Sequence, residues 1–109
     1  MINVVVTYFT DRHQIKSIIV DGHANSGTYG NDLICAAVSA IITGGANALI
    51  DDKKEDNFEI VLKEGHASII YNDKYSYLND DGVKLATMLI MLKTIQESNP
   101  RFIKITEKH

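Results

Sequence analysis

The chain has 109 residues, 45% hydrophobic and 23% charged, with a formal net charge of −3. That length and balance suit one soluble globular domain, residues 1–109, able to bury a core without disulfides or a structural metal. The small negative charge leaves no electrostatic footprint for direct nucleic-acid binding, and a single cysteine excludes an internal disulfide, CxxC redox chemistry and a Cys-rich zinc site.

The chain opens on a strand-like run, Ile2 to Thr7, with no basic segment or cleavage site of a secretory signal. Polar Thr10, Asp11 and Arg12 then make a turn, and Ile15 to Val20 form a second strand, so the first twenty residues read as a β-hairpin. A polar, glycine-dotted segment, Gly22 to Asn31, follows. From Asp32 to about Ile50 the pattern is helical, with Asn31 or Asp32 suited to cap the first turn. Its many small residues, including adjacent Gly44 and Gly45, imply close packing against a sheet or a second subunit. The apolar stretch Leu33 to Ile42, broken by Ser39, is too short to cross a bilayer. No membrane partner is expected, and the cytoplasm is the default location.

Residues Asp51 to Asn57 form a charged loop, and Phe58 to Leu62 and Ala67 to Tyr71 are strands joined by a hairpin turn at Glu64-Gly65. A second helix is predicted from near Leu78 to Ser98, with Leu85, Met88, Leu89 and Leu92 recurring at i, i+3, i+4 and i+7. Asn99-Pro100 stops it, and Phe102 to Ile105 closes as a last strand. The order ββαββαβ predicts an α+β fold: a five-stranded, mostly antiparallel sheet with two helices packed on it.

Among chemically capable residues, Cys35 stands out by position. A free cysteine in an apolar run is usually core, but this one falls in the first turn of the predicted helix. There unpaired amides and the helix dipole favour an anion, lower a thiol's pKa, and could donate to an oxyanion. Of the four histidines, His13 lies in the first turn and His109 at the terminus. His66 lies beside the Gly65 turn, which normally sits at a sheet edge. Only His23, in Gly22-His23-Ala24, leads directly into the segment that delivers Cys35, and a Cys–His pair is the minimal machinery of covalent acyl chemistry.

The loop carrying Gly22, Gly27, Tyr29 and Gly30 reads as a lid, with Tyr29 a candidate for an apolar substrate pocket. A phosphate cradle is set aside, because the Lys and Ser/Thr of a P-loop are missing. Asp32 has two candidate jobs, capping the helix and orienting His23. Ser39, four residues after Cys35, shares its helical face. Asp80-Asp81-Gly82 lacks the spaced ligands of a calcium loop, and a metal site on His23 and Cys35 lacks a clear third ligand. No metal and no organic cofactor is required.

Gly22-His23-Ala24, followed by Asp32-Leu33-Ile34-Cys35-Ala36-Ala37-Val38-Ser39, resembles the ribosomal-processing cysteine protease family, Prp. The likeness extends over the whole chain, and Leu33 departs mildly from the family's β-branched residue. The resemblance implies a homodimeric bacterial cysteine protease that trims the N-terminal extension of the large-subunit ribosomal protein L-twenty-seven. It implies cleavage after a short apolar segment ending in aromatic residues, with His23 and Cys35 as the catalytic dyad. From the residues alone, two other readings stay open: a non-catalytic ribosome-associated binding protein, and a Cys–His thioesterase or acyltransferase. Negative net charge and the lack of a basic-aromatic patch weigh against the first.

Overall fold

The computed structural model describes residues 1–9, 14–24, 32–50, 57–72 and 79–109. The elements are β1 (Ile2–Tyr8), β2 (Ile15–Asp21), α1 (Leu33–Ile50), β3 (Phe58–Lys63), β4 (His66–Tyr71), α2 (Asn79–Ser98) and β5 (Ile103–Lys108). The predicted order is therefore observed. Boundaries move by a few residues: β4 begins at His66, and the last strand runs from Ile103 to Lys108 rather than from Phe102 to Ile105. Leu78, the predicted start of the second helix, lies outside the described residues, as do Asn31 and the charged stretch 51–56.

The strands form one sheet in the order β3-β4-β2-β1-β5, antiparallel except for the parallel pair β1 and β5. It follows that β2 and β3 are parallel to each other, as are β4 and β5, so each helix is a crossover between parallel strands. The two crossovers travel in opposite directions along the sheet, between strand pairs of opposite sense. Right-handed connections then place both helices on the same face. This arrangement corrects one expectation. His66 does not lie at a sheet edge, because β4 is an inner strand flanked by β3 and β2.

Alternation along the strands supplies one side of the core. Val4 pairs with Val20, Val6 with Ile18, and Ile18 with Ile69, and all five are buried. The helices supply the other side. Val38, Ile42, Ala46 and Leu49 make the buried stripe of α1, and Leu85, Met88, Leu89 and Leu92 that of α2 at the spacing an amphipathic helix requires. The helices meet where a Cβ on Gly45 would lie 2.3 Å from the Met88 sulfur. Glycine leaves that space to the Met88 side chain. The Lys84 ammonium donates to the Ala48 carbonyl at 2.8 Å, satisfying an acceptor in the last turn of α1.

Helix α1 also revises the reading of its apolar run, which continues past Ile42 to Ile50. Its 18 residues have a mean hydropathy of 2.0, long and apolar enough by length and composition to cross a membrane. One stripe of it packs as core, while Leu33 is 80% exposed.

Candidate active site

The site begins where β2 ends. Gly22 has φ +97°, and a Cβ there would lie 2.4 Å from the Met1 carbonyl oxygen, so glycine is required on both counts. Ala24 is buried and fastens the segment to the core. Between them His23 is exposed. The sequence Gly-His-Ala thus turns the chain, presents an imidazole, and anchors it again within three residues.

The second half of the site is the start of α1. Asp32 is its N-cap: the Cys35 amide donates to Asp32 Oδ1 at 3.0 Å, and the Ala36 amide donates to the Asp32 carbonyl at 3.1 Å. Of the two jobs considered for Asp32, capping is the one its Oδ1 performs. The halves touch directly, because the Ala24 amide donates to Cys35 Sγ at 3.1 Å. A groove of about 500 Å³ opens beside them, lined by His23 and Cys35 together with Ser39, Thr43, Leu62 and the Lys63–Ala67 segment. Ser39 therefore faces the same space as Cys35. Gly27, Tyr29 and Gly30 lie outside the described residues.

The electrostatics differ from the expectation of a depressed thiol pKa. Burial pushes the Cys35 thiol above its ordinary value, and the hydrogen bond and negative charge of Asp32 add to that rise. The Ala24 amide pulls the other way. Beyond burial, the cap brings a carboxylate to the helix end, where it offsets the positive potential of the first-turn amides. The same cap engages two of the amides that were candidate oxyanion donors, those of Cys35 and Ala36.

Several residues in and beside the groove escaped sequence reasoning. Asp21 and His66 are register partners across β2 and β4, and His66 Nδ1 hydrogen-bonds Asp21 Oδ1. Gly65, at φ +75°, accepts from the Gly22 amide at 2.9 Å through its carbonyl. The pairing of β2 with β4 passes over the whole of α1 in sequence, so no local pattern announces it. Leu62, 46% exposed, was read only as a strand residue; its apolar side chain at a groove was the available signal.

The comparisons with known proteins agree with this arrangement. A family model described as Cysteine protease Prp matches residues 1–104. The ribosomal processing cysteine protease Prp of Staphylococcus aureus is 34% identical over 113 aligned residues, covering 99% of this chain and 100% of that protein. A crystal structure of the S. aureus protease with a covalently linked product peptide is similar at a TM-score of 0.85 and 33% identity. A second, with a substrate peptide, gives 0.81 and 32%. Both alignments cover 99% of this chain and 100% of the other. A match spanning both halves of the site and the sheet that joins them shows that this chain belongs to the ribosomal-processing cysteine protease family Prp, and its enzyme class is that of a cysteine protease.

Proposed function

We propose that this chain is the endopeptidase that removes the N-terminal extension of ribosomal protein L-twenty-seven, with Cys35 as nucleophile and His23 as base. The observation that carries this reading is the bond from the Ala24 amide to Cys35 Sγ, which joins the histidine segment to the sulfur at the wall of one groove. The S. aureus relative holds substrate and product peptides, one of them covalently.

Burial holds the thiol above its ordinary pKa, so Sγ calls for a base. His23 takes the proton as Sγ attacks the scissile carbonyl. The oxyanion of the tetrahedral intermediate accepts from amides at the N-terminus of α1. Imidazolium then protonates the leaving amine, and His23 activates water to hydrolyse the acyl-enzyme. Ser39 borders the groove, and Leu62 meets the apolar end of the extension. The reaction needs no metal or organic cofactor, and its setting is the cytoplasm, where ribosomal proteins are made.

A homodimer belongs to the same reading. A Cβ on Gly44 would meet nothing within 4 Å, and Leu33, Val83 and Ile90 are 80%, 65% and 64% exposed. A second copy covering these residues would remove that apolar surface from water.

The deciding experiment is cleavage of a peptide spanning the host's L-twenty-seven extension by wild type, Cys35→Ala and His23→Ala. Single-site cutting by wild type, lost in both variants, is expected. A folded wild type that leaves the peptide intact rejects the substrate, and hydrolysis of small thioesters instead would make the chain a thioesterase.

A further inference from the structure

We infer that the β3–β4 turn is the seat of the His23 imidazole, with Gly65, His66 and Asp21 acting as positioning residues; this rests on His23 being the base. Asp32 caps α1 through its carboxylate, and among the described residues no side chain hydrogen-bonds the His23 ring. Where no described side chain orients the base, packing can hold it, and small misplacements of reacting groups reduce rates steeply.

The packing is specific. A Cβ on Gly65 would lie 3.0 Å from His23 Nε2, 3.6 Å from Cε1 and 3.7 Å from Cδ2. The outer edge of the ring thus lies against the glycine, where a Cβ at 65 would crowd Nε2 and require the ring to shift. This leaves Nδ1, bonded on the backbone side of the ring, as the nitrogen turned from the seat. The sulfur is tied to the same segment, within 3.1 Å of the next residue's amide.

The seat is tied down residue by residue. Asp21 pairs with His66 in the strand register and bonds it through the side chains. One step further, the Gly22 amide donates to the Gly65 carbonyl. One step further again, His23 lies on Gly65. The Asp21–His66 bond therefore adds a side-chain tie between the end of β2, two residues before His23, and the turn that supports the ring. Neither side chain of that bond is buried, so removing it spares the core.

The test uses peptide cleavage, thermal unfolding and the ring-nitrogen NMR signals of His23 in Gly65→Asn, His66→Ala, Asp21→Ala and His66→Gln. Asparagine tolerates the left-handed φ at 65 while occupying the seat. Gly65→Asn is expected to lower kcat by roughly tenfold or more, and His66→Ala and Asp21→Ala by roughly threefold to tenfold, with KM within about twofold. His66→Gln, which keeps a donor for Asp21, is expected to restore kcat to within about twofold of wild type. The His23 signals should move in the three damaging variants and return in His66→Gln. Unchanged kcat and unchanged His23 signals in His66→Ala and Asp21→Ala overturn the proposal, as does a loss that merely follows unfolding. If wild type cuts no peptide, the substrate reading fails by itself, and the NMR signals still decide the seat. Should Gly65→Asn fail to fold, the other three variants carry the decision.

Discussion

The backbone amide of Ala24 donates to the sulfur of Cys35 at 3.1 Å, so the residue after the candidate base touches the candidate nucleophile. This bond stabilises negative charge on sulfur. The Asp32 carboxylate, bonded to the Cys35 amide on the other side, opposes it. The thiol is set between a donor that favours thiolate and a charge that resists it, with burial the larger influence against ionisation.

That balance predicts the effect of Asp32→Asn. Asparagine caps helices as well as aspartate does, so the substitution should change stability by less than about 1 kcal/mol. It removes a negative charge beside the thiol, and the thiol pKa should fall while burial still keeps it elevated. Iodoacetamide alkylation of Cys35, followed across alkaline pH, should show its midpoint displaced to lower pH in the variant. A midpoint that stays put, or rises, would mean that Asp32 does not act on the sulfur.

Adjacent glycines in α1 have opposite reasons to be there. A methyl on Gly45 would collide with the Met88 sulfur at 2.3 Å. Gly45→Ala should therefore destabilise by about 1–3 kcal/mol despite alanine's better helix propensity. Gly44 faces open space, so Gly44→Ala should stabilise an isolated chain by up to about 1 kcal/mol. Urea unfolding measures both. Sedimentation of Gly44→Ala adds a test of the dimer: weaker self-association in a more stable monomer marks Gly44 as an interface residue.

The buried carboxylate of Asp81, at 0% exposure, accepts from the Tyr71 hydroxyl at 3.3 Å and sits in the first turn of α2. Replacing it with alanine removes an anion from a helix N-terminus and leaves a buried hydroxyl without this acceptor. The expected loss is about 1–3 kcal/mol, read as a lower denaturation midpoint with unchanged slope. Asp81→Asn keeps an acceptor and should recover part of it. Equal stability of wild type and the alanine variant would reject the pairing as a contributor.

Much of the fold was legible because its signals are local. The Leu85, Met88, Leu89 and Leu92 stripe, the turn at Glu64-Gly65 and the stop at Asn99-Pro100 each depend on neighbours a few residues away. The order of strands does not. That β4 lies between β3 and β2 follows from two crossovers, and it turns His66 from a residue of an outer turn into a groove residue bonded to Asp21. At the candidate site, the meeting of His23 and Cys35 on one groove was legible from their place at a strand end and a helix start. The sign of the thiol shift was not. It is set first by burial of the sulfur, to which the Asp32 carboxylate adds: the same aspartate that marks a helix start offsets the dipole expected to act there.

Far from the groove, a three-residue cluster predicts a pH response of its own. The Tyr8 hydroxyl donates to Glu107 Oε1, and Lys93 Nζ lies 3.0 Å from Glu107 Oε2. Burial, then the bond to Glu107 and its charge, push the Tyr8 phenol up to about 12. The Tyr8 bond and Lys93 hold the Glu107 carboxyl below its usual value. A raised phenol pKa stabilises the fold fully below pH 10.0, and that contribution is lost as pH rises through about 12. A lowered carboxyl pKa acts in the opposite direction, contributing above pH 4.5 and fading as pH falls through the folded value. Glu107→Gln removes the charge from both partners, so the Tyr8 titration should move down toward the ordinary phenol value. Ultraviolet titration of tyrosinate resolves it against a Tyr8→Phe reference, which is needed because the chain has five tyrosines. If the Tyr8 step stays where it is in Glu107→Gln, burial alone holds the phenol, and the carboxylate has no part in it.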